Sequence, residues 1–309
     1  MRRVRVVLVG AGRWGSVHAK TVREAGGELV AVVDVDRRAA ERLASLYGAR
    51  AYTSLADSLA EKPDAALVVV PPEHLYSVAV EAVEYGLHVL VEKPVALDSR
   101  SALDLAARVE RRGLVGIAGY LLRFHPVVRL AARLVAESGV WLFEAKRLVH
   151  RRSVARTRPI DIDLAVHDID LALYLLGAGL RDTRASLERV DGGSVFRFEG
   201  VAGNARVEVL ASDAVPEGVR HRVLSLYGSG LVYTADFDEG RVVVKRRGRV
   251  GEERVVQGEP PLTVEHRVFY AMVARVEGLG EERHPLEAAA ASIRDAALVL
   301  RVLEEARRG

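Results

Sequence analysis

The chain contains no cysteine. Disulfides, thiol nucleophiles and Cys-ligated zinc are therefore excluded. Aromatic residues make up only 6% of it, too few for the stacking platforms that single-stranded nucleic acid requires. It has no apolar run of about 18 residues, so no transmembrane helix is expected. Charge of one sign is not in excess either: 45 basic residues are interspersed with 42 acidic ones for a formal +3. No basic stripe stands out, and a nucleic-acid partner is not expected. The N-terminus, MRRVRVVLVGAG, starts like a secretory leader, but Arg5 interrupts the apolar run and glycines end it without a small-residue cleavage site. It reads as a first strand, and a cytoplasmic location is expected.

Lysine is also scarce. Only five of the basic residues are lysine, at positions 20, 62, 93, 146 and 245. One of them, Lys93, interrupts the apolar run HVLVEKPVAL (88–97). Arginine stays protonated in proteins, whereas lysine responds to burial and can take part in proton chemistry. Lys93 is thus either a chemical group or a strand-end cation that reaches solvent.

What is present describes a globular protein: 309 residues, 50% hydrophobic and 28% charged, enough for two domains. Over the first 120 residues, apolar runs alternate with helical stretches: VRVVLVG (4–10), ELVAVVD (28–34), ARAYT (49–53), ALVVV (66–70), HVLVEK (88–93) and LVGIAG (114–119). The runs are continuously apolar, as in a parallel sheet covered on both faces. After residue 120 a helix (127–138) and a strand (140–150) lead into a basic loop and a helix (162–176). Strand-like runs GSVFRFEG, NARVEVLAS, RHRVLSLYG, LVYTADF and RVVVKRR follow, separated by glycine turns, as in an antiparallel sheet. Helices at 264–276 and 286–307 end the chain. The expected fold class is α/β. Residues 1–120 form a Rossmann domain with a doubly wound parallel sheet. Residues 121–309 are expected to form an α+β domain with a mostly antiparallel sheet.

GAGRWG (10–15) is a GxGxxG directly after the first strand. Glycines permit the tight turn and the close backbone approach that seat a pyrophosphate at a helix N-terminus. The second strand ends in Asp34, about 20 residues beyond Gly12, where an acidic residue grips the ribose 2′-hydroxyl of NAD. The expected cofactor is NAD rather than NADP, although Arg37 and Arg38 lie close by. Gly10, Gly12, Arg13, Trp14, Gly15 and Asp34 form the candidate cofactor loop. Trp14 is placed over the phosphates or the nicotinamide side.

DIDLAVHDID (161–170) sets Asp163 and His167 four apart, on one face of a helix. A carboxylate beside an imidazole fixes its tautomer and raises its basicity, which suits a general base. The same aspartates could instead cap the helix. A metal site is not expected, because no third ligand is evident.

Taken together, GAGRWG, VVDVD, VPPEH, HVLVEKP, GYLLRFHP and DLAVHDIDLALYLLG resemble the Gfo/Idh/MocA family of sugar and cyclitol oxidoreductases over essentially the whole chain. The resemblance implies that Lys93, Asp163 and His167 are catalytic. His167 would take the hydroxyl proton, Asp163 would orient it, and Lys93 would stabilise the oxyanion beside the nicotinamide. It adds Val70, Pro71, Glu92 and Lys93 to the cofactor site. It also implies that Tyr120 and Arg123 join Lys93, Asp163 and His167 in binding substrate. GYLLRFHP and DLAVHDID are similar to the branch acting on UDP-N-acetylglucosamine, with Tyr120 and His125 standing where that branch has His and Asn. Lys146, Arg147, Arg151, Arg152, Arg156 and Arg158 form a basic cluster ahead of the catalytic helix that could hold a diphosphate. The alternatives are a dehydrogenase of a free sugar, inositol or other polyol, and a non-catalytic NAD-binding sensor. A homodimer or homotetramer built on the second sheet is expected, since a broad apolar sheet face needs a cover.

Overall fold

The computed structural model describes residues 2–150, 159–247, 251–280 and 284–308. The chain forms two compact units, Met1–Phe124 with Pro260–Ala297, and His125–Glu259 with Leu298–Gly309. In one respect this departs from the expected division at residue 120: Pro260–Ala297 folds with the N-terminal unit.

The first unit is built on strands β1 (Arg5–Val9), β2 (Glu28–Val33), β3 (Arg50–Tyr52), β4 (Ala65–Val68), β5 (His88–Val91) and β6 (Gly116–Ala118). All run parallel, in the order β3-β2-β1-β4-β5-β6. This is the doubly wound dinucleotide-binding order, whose reversal between β1 and β4 opens a ligand crevice at the strands' carboxyl ends. Helices α1 (Arg13–Glu24), α2 (Arg37–Tyr47), α3 (Leu55–Ser58), α4 (Pro72–Glu84) and α5 (Ser99–Arg111) connect the strands. Their ends carry the usual chemistry. Asp36 accepts from Arg38 and Ala39 amides at the start of α2, Asp98 accepts from Ser101 at the start of α5, and Gly48 closes α2 at φ 70°. β4 and β5 have no exposed apolar side chain, which explains their unbroken hydrophobicity. Each such Val or Leu contributes about 1.5–3 kcal/mol on burial.

Helix α8 (Pro261–Val276) belongs to this unit because its apolar stripe finds its partners there. Phe269, Tyr270 and Val273 join the core formed by Val6, Leu8, Ala19 and Val22. A Cβ at Gly27 would meet the Tyr270 ring at 2.8 Å, so the turn before β2 needs glycine for this packing. The final helix is shorter than expected. Helix α9 covers Ile293–Ala306, and the Ala-rich segment before it is not continuous helix. Ala291 O instead accepts the Ala118 amide at 2.8 Å, and Ser292 bridges to Ile117. The edge of β6 offered unpaired backbone groups, and satisfying them outweighed alanine's helix propensity. The helix starts where Ser292 and Asp295 exchange side chain–amide hydrogen bonds, a capping box.

The second unit holds α6 (Pro126–Ser138), β7 (Val140–Val149), α7 (Val166–Leu176) and strands β8 (Leu180–Val190), β9 (Gly193–Ala202), β10 (Ala205–Ser212), β11 (Arg220–Gly228), β12 (Leu231–Asp236), β13 (Arg241–Arg246) and β14 (Glu252–Val255). The eight strands form one sheet, β14-β13-β12-β11-β7-β10-β9-β8, antiparallel except for β7 with β10. α7 packs on β7, β9 and β10, and α6 on β12. Phe143, Ala145, Val207, Val209, Leu224 and Tyr233 face this helical layer and are buried. The opposite face presents Leu142, Glu144, Lys146, Leu210 and Tyr227, none of them fully buried. β8 and β14 escape the apolar-run criterion because they are edge strands. LRDTRASLERV and EERV are rich in charge and mostly exposed, which is how sheets blunt their edges. Among the described residues no helix is long and apolar enough to cross a membrane.

Candidate functional site

The three glycines of the GAGRWG loop are each required for a different reason. Gly10 has φ +107°, and a Cβ there would lie 2.2 Å from Val69 O. A Cβ at Gly15 would lie 2.0 Å from Gly10 O, so α1 can start this close to β1 only with glycine. Around Gly12 there is nothing within 4 Å of the Cβ position. Gly12 also N-caps α1 without a side-chain acceptor. The helix therefore offers unpaired N–H groups beside open space, which fits a pyrophosphate. Asp34 accepts the Ala11 amide at 2.7 Å on one carboxylate oxygen and the Asp36 amide at 2.9 Å on the other. It thus braces the loop, and each oxygen keeps a lone pair for a ribose hydroxyl. Arg37 is exposed and turned to Glu41 at 2.9 Å. Val70 is half-buried and Pro71 is exposed, at the β4–α4 junction on the same sheet edge. Arg13 is exposed, and Trp14 stacks edge-on against His18 at 5.7 Å.

Glu92 and Lys93 directly follow β5. Glu92 is 6% exposed and accepts the Lys93 amide at 3.2 Å, while Lys93 is half-buried. His18 Nε2 lies 3.0 Å from Glu92 Oε1, His18 Nδ1 lies 2.9 Å from His266 Nε2, and His266 Nδ1 lies 3.0 Å from the Tyr270 hydroxyl. These contacts form one continuous chain from Tyr270 through His266 and His18 to the Glu92 carboxylate, which accepts from His18. Burial alone would push Glu92 up, but the His18 hydrogen bond and charge, with Trp14 and Lys93, hold it below the usual carboxylate range. The chain ties the glycine-loop helix and α8 to the strand end that carries Lys93. Sequence reading missed His18, His266 and Tyr270. The available signal was His18, a polar residue on the buried face of α1 beside Ala19 and Val22. Gly119 belongs to the same arrangement, since a Cβ there would meet Glu92 Oε1 at 3.0 Å.

Tyr120 and Arg123 are 1% and 5% exposed, and Arg123 approaches Asp295 at 3.5 Å.

In the second unit Asp163 lies on a π-type turn, Asp161–Ala165, that leads into α7, and His167 lies in the first turn of α7. Both are half-buried, unlike Asp161, Asp168 and Asp170, which are 1–3% exposed. Asp161 accepts the Ile162 amide at the start of this turn, at 2.9 Å. Asp161 pairs with Arg307, and Asp168 takes a bidentate ion pair from Arg147 at 2.7 and 2.6 Å. This alters the expected basic cluster. Arg147 is committed to Asp168, and Lys146 on the opposite face of β7 pairs with Glu144 at 2.9 Å. Arg151, Arg152, Arg156 and Arg158 lie outside the described residues. Among the described residues no group of three His, Asp or Glu is placed to hold a metal.

The buried histidines set a pH dependence. Burial, and then the neighbouring His18, push His266 well below the usual imidazole range. Burial, and then Arg222, lower half-buried His125 to about 4. Below pH ~6.5 the unfolded chain takes up protons that these folded-state imidazoles refuse, so stability falls as pH falls. The slope approaches ~1.4 kcal/mol per pH unit for His266, and less for His125, which solvent screens. Glu92 adds a loss only at lower pH, once its depressed carboxyl is protonated. Urea midpoints between pH 7.5 and 5 should decline, and His266→Gln should flatten the decline. A midpoint constant over that range would contradict the assignment.

Residues 4–120 match the sequence profile described as an oxidoreductase family with an NAD-binding Rossmann fold, Gfo/Idh/MocA. The chain is similar to the UDP-N-acetylglucosamine 3-dehydrogenase of Acidithiobacillus ferrooxidans, 32% identical over 60% of this chain and 58% of that one. It is also similar to the inositol 2-dehydrogenase of Corynebacterium glutamicum, 32% identical over 57% of this chain and 55% of that one. These matches span little more than half the length of either relative. Two solved structures of the Acidithiobacillus ferrooxidans enzyme share the fold. One has a TM-score of 0.86 at 24% identity, covering 99% of this chain and 98% of that one. The other has 0.84 at 26% identity, covering 99% and 96%.

Proposed function

We propose that this chain, which belongs to the Gfo/Idh/MocA family of oxidoreductases, is an NAD-dependent dehydrogenase that oxidises a secondary hydroxyl of a sugar substrate. The observation that carries the reading is the glycine loop. Its open Gly12, its uncapped helix and its bracing Asp34 fit NAD, and Lys93 follows β5 of the same sheet beside a buried, hydrogen-bonded Glu92. Gly10, Gly12, Gly15 and Asp34 would hold the cofactor's phosphates and ribose. Bound NAD supplies the hydride acceptor. His167 takes the hydroxyl proton on its imidazole, Asp163 orients that ring, and the Lys93 ammonium stabilises the alkoxide.

For the substrate the best-supported reading is a UDP-N-acetyl hexosamine oxidised at C3, on the strength of the similarity to a UDP-N-acetylglucosamine 3-dehydrogenase. The inositol 2-dehydrogenase relatives support a second reading, a polyol. NADH formation in the presence of UDP-N-acetylglucosamine, myo-inositol and free hexoses separates them. Turnover with UDP-N-acetylglucosamine supports the first, and efficient turnover of inositol alone replaces it with the second. Reduction of NAD by none of them would leave a binding protein without this activity.

Asp34 also sets cofactor choice, because its carboxylate repels a 2′-phosphate and Arg37 is turned toward Glu41. NAD should bind tighter than NADP by fluorescence titration, and Asp34→Ala should narrow the gap. Equal affinities in the unmodified protein would refute this. The open face of the second sheet, with Leu142, Leu210 and Tyr227, supports a homo-oligomer, and light scattering should give at least a dimer mass. A cytoplasmic location fits an NAD-dependent reaction.

A further inference from the structure

A cavity of about 390 Å³ lies entirely within the second unit, between one face of α6 and the chain leaving β14. Pro126, Arg129 and Arg133 line it from the helix, one turn apart, and Arg254, Gln257 and Gly258 line it from the other side. The segment can close on the helix because residue 258 is glycine: a Cβ there would meet Pro126 Cγ at 2.6 Å. Three arginines thus line one space. Arg254 shares its charge with Glu252 at 3.1 Å. Arg129 and Arg133 have no acidic partner among the described residues, although ion pairs are abundant elsewhere in the second unit. Arg129 Nε is buried without an acceptor. A buried donor left unpaired is unfavourable, and next to a cavity it points to an acceptor that enters from outside. Arginine's planar fork matches phosphate geometry, and two uncompensated charges call for an anion carrying more than one. The volume falls in the range of small-molecule sites.

We propose that this cavity binds a phosphorylated small molecule, gripped at its phosphoryl or diphosphate group by Arg129, Arg133 and Arg254. Arg129 is the central donor, because its Nε is already desolvated and its position on α6 is fixed by the helix. Gln257 supplies a neutral donor and acceptor at the rim. The group could be the diphosphate of a nucleotide-sugar substrate or part of a separate phosphorylated ligand, and the chemistry of capture is the same for both.

The test is calorimetric titration of the full chain with inorganic pyrophosphate. Saturable binding is expected, weakened about tenfold or more by Arg129→Gln, since one charge-assisted hydrogen bond is lost. It should be undetectable in the Arg129→Gln/Arg133→Gln/Arg254→Gln variant. Far-UV circular dichroism and urea unfolding of the same variants check that the second unit stays folded. Absence of saturable binding, or equal binding by the triple variant, overturns the site whatever reaction the protein carries out. If the site holds, kinetics with UDP-N-acetylglucosamine identify the source. A raised KM at unchanged kcat in the triple variant makes the cavity the substrate's diphosphate subsite. An unchanged KM makes it a site for a second phosphorylated ligand. Both outcomes sustain phosphate capture, and neither depends on the assignment of Lys93 and His167.

Discussion

Lys93→Met and His167→Ala should each lower kcat by about 10²- to 10⁴-fold, the range for loss of an electrostatic stabiliser or a general base. Both should leave the thermal transition and NAD affinity little changed. The expectation for Lys93 rests on its setting. It follows a strand with no exposed residue, its amide is held by Glu92, and Glu92 is held by a hydrogen-bonded chain of three residues, His18, His266 and Tyr270. Methionine keeps the length and apolar stem but removes the cation, so the loss reports charge rather than packing. For His167 the pH profile adds a second readout. If the imidazole takes the proton, the acidic limb of kcat/KM should vanish in the residual activity of His167→Ala. Full activity in either variant would sink the shared mechanism. His18→Phe provides a contrast. It touches Glu92 rather than substrate, so it should lower activity less and should shift the pH profile, because the Glu92 carboxylate loses its donor.

Arg147→Ala should destabilise the second unit by about 3–5 kcal/mol, the usual consequence of stranding one member of a buried ion pair. Asp168 is 3% exposed and takes both of its hydrogen bonds from Arg147, so its charge cannot recover water without opening the interface between β7 and α7. Replacing both residues, as Arg147→Met with Asp168→Leu, should cost far less than the sum of the single changes, because no charge is then left buried. Urea unfolding gives the numbers, and a single-variant loss under ~1 kcal/mol would show that the pair is better solvated than the structure indicates. The pair also bears on function. Asp168 adjoins His167, so a shifted α7 misplaces the imidazole, and Arg147→Ala should lose activity at temperatures where it remains folded.

The parts of this protein legible in the sequence are those whose cause lies within a few residues. Continuous apolar runs marked β1, β2, β4 and β5, because strands buried on both faces need no alternation. GAGRWG and Asp34 could be read because turn geometry and close approach impose glycine and a carboxylate at fixed spacings. Lys93 stood out as a lysine in an arginine-rich chain, and Asp163 with His167 as a pair on one helical face. Tertiary structure decided the rest. The edge strands β8 and β14 are charged, so only pairing with β9 and β13 makes them strands. Residues 290–292 gave up helix for the open edge of β6. His18 meets His266 across 248 positions of sequence, and α8 returns to the first unit because that is where its apolar stripe is covered. Arg147 read as a ligand-binding cation and became half of a buried pair. Arg129 carried no signal until α6 and the end of β14 met to form a pocket that it lines. Propensity, capping and turn chemistry act over a single turn of chain. The partner of a buried charge or an edge amide is chosen only when distant segments pack together and exclude water.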